Sequence, residues 1–347
     1  MIRIITPGND HGLIDVSVCI ANYNGIGLID ECLASVRAQG VDLAVEIIVH
    51  DDASTDGSVA HIKARHPDVR LIESRENVGF CAANNRMAAL ARGAYLLLLN
   101  NDAALLPDAL AVLHGEAVGS GCPAVLTLPQ YDAESGACLD MGGLLDPFFN
   151  TAPNHDPLRT AVAMAAGACL WLPCSMWREA GGFPEWFGSL AEDLYLCCRL
   201  RLAGYAVRVP ARSGYRHHVG RSLGGGKVLA GRLESTYRRR ALSERNRACV
   251  MAMVCPAPLV FALLPLHGLL LLVEGLLLSM LRRSRRPLTE IYLPALAALL
   301  ARRRQILALR RDIMAARRIG TGRFLSVFTP VSHKLRMLLK HGLPRLS

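Results

Sequence analysis

The sequence predicts an α/β fold, a mostly parallel central sheet flanked by helices, with a helical region of different chemistry after it. Three observations carry this. Short apolar runs alternate with helical stretches of about ten to fifteen residues, the pattern of a parallel sheet covered on both faces. Clusters of Asp, Asn and Gly close three of those runs. Charge and hydropathy both change near residue 232.

The elements follow in order. Residues 16–21 (VSVCIA) read as a buried strand ending in Asn22-Tyr23-Asn24-Gly25. A helix with Leu28, Ile29, Leu33 and Val36 on its apolar face comes next. Residues 46–49 form a second strand, closed by Asp51-Asp52-Ala53-Ser54-Thr55-Asp56-Gly57-Ser58. Ser54 or Asp56 suits the cap of the helix that runs on to about Arg65. Residues 69–72 are the third strand, and Asn77-Val78-Gly79-Phe80 leads into an alanine-rich helix over 81–92. The fourth strand lies within the apolar run that opens at Tyr95 and delivers Asn100, Asn101 and Asp102 to its carboxyl end. Much later, Glu192 and Asp193 open a helix that continues to Gly204, followed by a strand over 205–209.

In an open α/β sheet, ligands sit beyond the carboxyl ends of the strands. Asp51, Asp52, Asn77 and Asp102 are far apart in sequence but converge there. Each alone could be a turn or a helix cap; their convergence points to a nucleotide site. A carboxylate flanked by amides, as at Asp102, suits a hard divalent cation that itself holds a diphosphate. No GxGxxG follows the first strand and no GxxxxGK[ST] occurs, so the phosphates need another device. Downstream, the turn-rich GGFPEWF over 181–187 presents Glu192 and Asp193. These acids could merely complement a helix dipole, but they also suit acceptance of a proton from a hydroxyl. Residues 216–222 (RHHVGRS) group guanidinium and imidazole. Adjacent histidines point apart, so one of His217 and His218 is expected to act and the other to be structural.

Bulk properties narrow the setting. The chain has 347 residues, 52% of them hydrophobic, and an odd set of 11 cysteines with no CxxC pair. That set fits neither a disulfide framework nor a zinc site and belongs in a reducing compartment. No basic segment leads into an apolar one near the start, so no secretory signal is read there. Residues 1–231 carry 17 Lys and Arg against 24 Asp and Glu; residues 232–347 carry 22 against 5. A net of −7 therefore gives way to +17. The basic part is also the most apolar: within 256–281 only His267 and Glu274 are ionisable, and Arg282, Arg283, Arg285 and Arg286 follow. Nucleic-acid arms seldom carry such a run; membrane anchors do. Pro256, Pro258, Pro265 and the two ionisable groups favour a re-entrant or in-plane helix pair over a true span. From Arg303 to Arg318, Ile306, Leu309, Ile313 and Ala316 recur at helical spacing among arginines, as in a basic amphipathic helix suited to anionic headgroups. The expected division is a catalytic domain over 1–231 and a membrane-association region over 232–347.

VSVCIANYNG, IIVHDDASTDGS, ENVGFCAANN, LLLLNNDAALLP, GGFPEWFGSLAEDLYLCCRLRLAGY and the RHHVGRS loop together resemble the inverting nucleotide-sugar glycosyltransferases of family 2. More narrowly they resemble bacterial rhamnosyltransferase-like members, over about residues 15–247; YRRRALSERNR is similar to the family's Tyr/Arg-Asn segment. The resemblance implies the GT-A fold. It implies that Asn22, Asp51 and Asn77 bind the nucleotide, with Asp51 receiving a pyrimidine N3–H. Asp102 would bind Mg2+ or Mn2+ on the diphosphate, His217 would complete that site, and Asp193 would be the general base. The implied partners are a dTDP- or UDP-sugar, a glycan or lipid-linked glycan acceptor and an anionic membrane surface, not nucleic acid. The implied place is the cytoplasmic face of the plasma membrane, peripheral or re-entrant. Two departures stand out: Asn100 replaces an acid at the first DxD position, and Tyr195 replaces the last acid of ED-x-D. Competing readings are the same fold with a UDP-hexose donor, and an inactive GT-A scaffold tethered by its tail.

Overall fold

The computed structural model describes residues 2–7, 12–220, 225–229 and 232–347. Arg221 and Ser222 of the RHHVGRS segment lie outside them. Contacts divide the chain into two units. The first comprises Met1–Gly143, Pro153–Ser189 and Tyr205–His218; the second comprises Leu144–Ala152, Leu190–Gly204 and Val219–Ser347.

The first unit is built on strands β1 (Ile2–Ile5), β2 (Val16–Asn22), β3 (Val45–Asp51), β4 (Arg70–Ser74) and β5 (Tyr95–Asn100). Helices α1 (Ile29–Arg37), α2 (Ser58–Arg65) and α3 (Phe80–Leu90) connect the last four. Then come β6 (Ala103–Leu105), α4 (Ala109–Gly119), β7 (Ala124–Leu126), β8 (Gln130–Asp132) and β9 (Cys138–Asp140). Two short strands, β10 (Gly143–Leu145) and β11 (Thr151–Pro153), pair with each other and fall mostly in Leu144–Ala152 of the second unit. The first unit closes with β12 (Cys169–Pro173), α5 (Cys174–Ala180), β13 (Ala206–Arg208) and β14 (Tyr215–His217).

The main sheet runs β1-β4-β3-β2-β5-β12-β7-β13. Its centre, β4-β3-β2-β5, is parallel. Those strands read as continuous apolar runs because helices bury both faces; Val16, Val18, Cys19 and Ile20 have no exposed surface. Around this parallel core β1 and β12 pair antiparallel, and β12 places Cys169 opposite Leu99. A smaller sheet, β6-β14-β8-β9, lies beyond the end of β5. Sequence reading did not anticipate β12, although Gly167 turns the chain just before its CLWLP. It also assigned the cap of α2 differently from what is seen. Gly57, at φ 90, is the cap residue, and Asp56 accepts the Ser58 N–H at 3.0 Å. Ser54 turns instead to Asp51 and Asn24.

The second unit contains α6 (Glu192–Leu202), α7 (Tyr237–Val254), α8 (Leu259–Leu281), α9 (Leu293–Ala301), α10 (Arg303–Ala315), α11 (Thr321–Leu325) and α12 (His333–His341). A π-helical turn, Pro287–Tyr292, enters α9. Pro256 and Pro258 precede α8, and Pro265 falls in its second turn without ending it. The apolar run is therefore one 23-residue helix, long and apolar enough to cross a membrane by length and composition. Val260, His267, Leu271, Gly275 and Leu278 are buried, while Phe261, Leu269, Val273, Leu277 and Met280 are exposed on the other side. In α10 the structure differs from the headgroup-binding expectation. Ile306 and Ile313 are buried where α10 packs on α6 and α7, so its apolar stripe is already used inside the protein.

A buried ion network underlies α8. Glu244, 2% exposed, meets Arg240, Arg247 and Lys334. Glu274 of α8 is held by Arg240 and by Lys334, the latter at 2.9 Å. Glu274 thus lies on the protein side of the helix.

Candidate functional site

The end of β2 organises the polar edge of the sheet. β2 pairs with β3 so that Asn22 faces Asp51, and with β5 so that Ala21 faces Asn100. Three strand ends are therefore held side by side. Asn22, 1% exposed, donates from Nδ2 to Asp51 Oδ2 at 2.8 Å and accepts from Asn101 Nδ2 at 2.8 Å. Gly25 is required beside them: a Cβ there would lie 2.1 Å from Asn101 Nδ2 and 2.3 Å from Asn22 Oδ1.

Asp51 is fully buried and also accepts the Ser54 N–H at 2.9 Å and the Ser54 O–H at 2.8 Å. A carboxylate offers about four acceptor positions; three are used, and one is left for a further N–H. Asp52 has a different task, accepting the N–H groups of Val78 and Gly79, each at 2.8 Å. That anchors the loop on which Asn77 stands exposed. Gly79 adopts φ 86, and a Cβ there would meet the Gly188 carbonyl at 3.0 Å.

Asp102 follows β5 and is 5% exposed. Antiparallel pairing of β14 with β6 sets His217 opposite Ala103, and the His218 N–H donates to the Asp102 carbonyl at 3.0 Å. His217 Nε2 then lies 3.0 Å from Asp102 Oδ1. The contact is not an aligned hydrogen bond: among the described residues, buried Asp102 Oδ1 and His217 Nδ1 both lack a hydrogen-bond partner. Such groups are costly in a protein interior. His217 Nε2, which also has Asn100 Nδ2 at 3.4 Å, and the partnerless Asp102 Oδ1 converge as an oxygen-nitrogen donor pair that fits a divalent cation. An oxygen-nitrogen pair suits Mn2+ better than the oxygen-seeking Mg2+. His218 instead directs Nε2 towards Glu31, at 3.8 Å. Asn22, Asp51, Asp102 and His217 thus stand together on one edge, with Asn77 on the loop that Asp52 fixes.

Asp193 belongs to the second unit, at the start of α6. The two residues before this helix, Leu190 and Ala191, both have positive φ (72 and 66) although neither is glycine. Backbone of this kind persists only where surroundings enforce it. Buried Asn246 does so, donating Nδ2 to the Leu190 carbonyl at 2.7 Å. Asp193 Oδ1 accepts the Leu194 N–H at 2.7 Å. Burial first, and then the Asp193 charge, push the Glu192 carboxyl well above the usual range; among the described residues Glu192 Oε2 has no hydrogen-bond partner. Tyr195, where an acid was expected, is buried and its hydroxyl accepts from Arg199.

Asn101, Asp52 and Asn246 lie in segments that the sequence singles out, but sequence reading gave none of them its own task. For the first two a signal existed, an extra amide and an extra acid beside the chosen residue. For Asn246 the only hint was the Arg-Asn segment itself. His50, unexplained by sequence, is wholly buried in β3, and that burial pulls its imidazole below the usual range. A separate group, Asp30, His61 and His66, brings three ligand atoms within 4.8 Å of one another. There, however, Arg37 Nη1 lies 3.1 Å from His66 Nδ1. A guanidinium only donates, so His66 Nε2 carries the proton and points it at Asp30, 2.7 Å away. The hydrogen bonds from His66 and His61 hold the Asp30 carboxyl below its usual range. This group reads as a brace between α1 and α2.

Residues 17–134 match the model of glycosyl transferase family 2. N-acetylglucosaminyl-diphospho-decaprenol L-rhamnosyltransferase of Mycobacterium tuberculosis is 29% identical over 284 residues, covering 70% of this chain and 86% of that protein. An uncharacterized protein of Sinorhizobium fredii is 28% identical over 273 residues, 73% of this chain. The match spans only 28% of that relative's own length. Among solved structures, a Pyrobaculum calidifontis mannosyltransferase with GDP-Man and Mn2+ superposes with a TM-score of 0.53 at 19% identity, covering 87% of this chain and 86% of that one. Residues 1–349 of S. aureus TarS with UDP-GlcNAc give 0.55 at 17%, covering 87% and 88%. These likenesses show that the chain has the GT-A fold, and residues 17–134 within it are similar to the domain of glycosyl transferase family 2.

Proposed function

We propose that the chain is an inverting, metal-dependent glycosyltransferase that moves a sugar from a nucleotide diphosphate to a hydroxyl of a lipid-linked glycan. The observation that carries this is the convergence of the buried Asp102 Oδ1 and His217 Nε2, 3.0 Å apart, beside the Asn22–Asp51 hydrogen-bond chain. L-Rhamnose from a dTDP donor is the first choice, supported by the rhamnosyltransferase relative. A UDP-sugar is the second, supported by the fold shared with TarS bound to UDP-GlcNAc.

In this reading the spare acceptor position of Asp51 receives the N3–H of the pyrimidine, and Asn77 holds the nucleotide from its loop. Asp102 and His217 would hold Mn2+ or Mg2+, which when bound neutralises charge on the leaving diphosphate. Asp193 takes the acceptor's hydroxyl proton. The acceptor oxygen forms its bond to the anomeric carbon as the bond to the diphosphate oxygen breaks on the opposite face, so configuration inverts. Glu192 keeps its own proton, because its carboxyl is buried and the half-buried Asp193 beside it carries the charge. Asp193 is then the charged member. Leu190, Ala191 and Asn246 fix where it points.

The site works at the cytoplasmic membrane face, with α8 lying in the plane of the bilayer. A helix of this length, about 34 Å, could span. Spanning would carry Arg240, Glu244, Glu274 and Lys334 into hydrocarbon, at a cost that rises with each charge. Lying flat keeps them on the protein side, immerses Leu269, Val273, Leu277 and Met280, and sets Arg282, Arg283, Arg285 and Arg286 among anionic headgroups.

The test is a donor panel with the full chain, scoring nucleoside diphosphate release with and without EDTA. One pyrimidine-diphosphate sugar should be consumed in a metal-dependent way. No release from any donor, in the presence of lipid-linked acceptors, would leave only a scaffold role.

A further inference from the structure

We infer that Arg239 sets which acceptors the second unit takes, by receiving an oxyanion, phosphate or carboxylate, that the acceptor carries near the hydroxyl facing Asp193. This deepens the transferase reading above and rests on its assignment of Asp193 as base. Three consecutive arginines follow Tyr237 at the start of α7, and their surroundings differ. Arg238 is exposed, where water solvates its charge. Arg240 is taken up by the network under α8, with Glu244, Glu274 and the Tyr292 hydroxyl. Arg239 is half-buried, yet among the described residues its guanidinium makes no hydrogen bond or ion pair. Only its backbone N–H is capped, by Thr236 Oγ1 at 3.1 Å.

Helix geometry fixes where it stands. Arg239 and Asn246 are two turns apart on α7 and so share one face. Asn246 holds the Leu190 carbonyl at 2.7 Å, just before Glu192, and α7 packs there on α6. Arg239 is therefore on the face of α7 turned to the start of α6. Burial holds its guanidinium below the usual range, and the Glu192 charge works against that shift. Glu192 cannot serve as its counter-ion, because the buried carboxyl keeps its proton. Glu244, Glu274 and Glu290 are engaged with other bases. A guanidinium partly withdrawn from water with no anion beside it is costly. Its planar fork matches phosphate and carboxylate oxygens, whereas a neutral hydroxyl would leave the charge uncompensated. The acceptor is the ligand that supplies this anion. Arg239 shares its unit and the α6–α7 contact with Asp193, while Asn22, Asp51, Asp102 and His217 belong to the first unit. Holding the acceptor at its hydroxyl and at its oxyanion orients the attacking oxygen. An acceptor without the charge leaves the guanidinium unpaired and is rejected.

Binding to the full chain is measured by calorimetry in EDTA, with octyl diphosphate, octyl glucuronide and neutral octyl glucoside as probes. One anionic probe should bind at least about tenfold more tightly than the glucoside. Which one responds tells phosphate from carboxylate. Arg239→Gln should remove that advantage while UDP affinity, measured with Mn2+, stays unchanged. Arg239→Lys keeps the charge without the fork and should restore part of it. If Arg239→Gln fails to fold, as judged by circular dichroism, the wild-type chain decides: phenylglyoxal should label Arg239, and the responding probe should protect it. Equal binding of the glucoside, an advantage that survives Arg239→Gln, or labelling that no probe prevents would overturn the assignment. A UDP affinity that falls together with probe affinity would also overturn it, giving Arg239 to the donor diphosphate. Probe binding needs no sugar transfer. A silent donor panel with Arg239-dependent anion binding would reject the transferase reading and keep the site; an active transferase without that dependence would do the reverse.

Discussion

Two pairs of adjacent acids sit in this molecule in opposite surroundings. Asp51 and Asp52, at the end of β3, are surrounded by donors: Asn22 and Ser54 for one, the Val78 and Gly79 amides for the other. Glu192 and Asp193, at the start of α6, follow two left-handed residues, and Glu192 keeps a buried oxygen without a hydrogen bond. The first pair is satisfied by design of the strand ends and holds loops in place. The second carries strain and a displaced protonation equilibrium, the condition of groups that handle protons. Adjacent acids look alike in a sequence; their donors tell them apart.

The comparison can be broken at its strongest point. Asp193→Asn should lower transfer by about 10²–10⁴-fold with UDP affinity unchanged in calorimetry, since an amide of equal size cannot take the proton. Transfer at the wild-type rate would end the base assignment. Next, Asp102→Asn should cost about 10²–10³-fold in kcat and leave the residual activity insensitive to EDTA. An activity that stays fully EDTA-sensitive would place the cation elsewhere.

Smaller effects separate holding from reacting. Asp52→Asn can still accept one backbone N–H but not both, so it should destabilise the chain by about 1–3 kcal/mol in urea titration. It should also raise the donor KM more than it lowers kcat. The opposite split would mean that Asp52 touches the chemistry. The smallest effect concerns Glu192, whose folded carboxyl keeps its proton to a higher pH than when unfolded. Its stabilising contribution is complete below the usual glutamate range and fades as pH rises through the raised value. Glu192→Gln does not titrate. Relative to wild type its Tm should therefore gain about 2 °C or more between pH 5 and pH 8, and a constant difference would contradict the shift.

Much of the sheet was legible because its strands are buried on both faces and carry uninterrupted apolar runs. Residues 16–21 and 96–99 could be little else, and the clusters at Asn22, Asp51 and Asp102 had to share an edge once the strands were parallel. Alternation alone left the His217–His218 choice open and only the resemblance named His217; β14 pairing with β6 sets His217 beside Asp102. Less could be read where pairing partners are remote. β12 joins β5 antiparallel across some seventy residues, and no local pattern encodes that register. The amphipathic pattern of α10 was read correctly as a pattern, but not that Ile306 and Ile313 would spend it on the protein's own helices.

By itself, then, the sequence determined the periodicities: which stretches become buried strands, which helices are apolar, and where the basic half begins. Those follow from local sterics and hydropathy, which each residue carries with it. Tertiary structure alone decided which donors surround each acid, that Asn246 holds the Leu190 carbonyl, and that Glu274 meets Arg240 and Lys334 on the inner face of α8. Such pairings mostly join residues between 26 and 60 positions apart, and only the folded chain sets those distances.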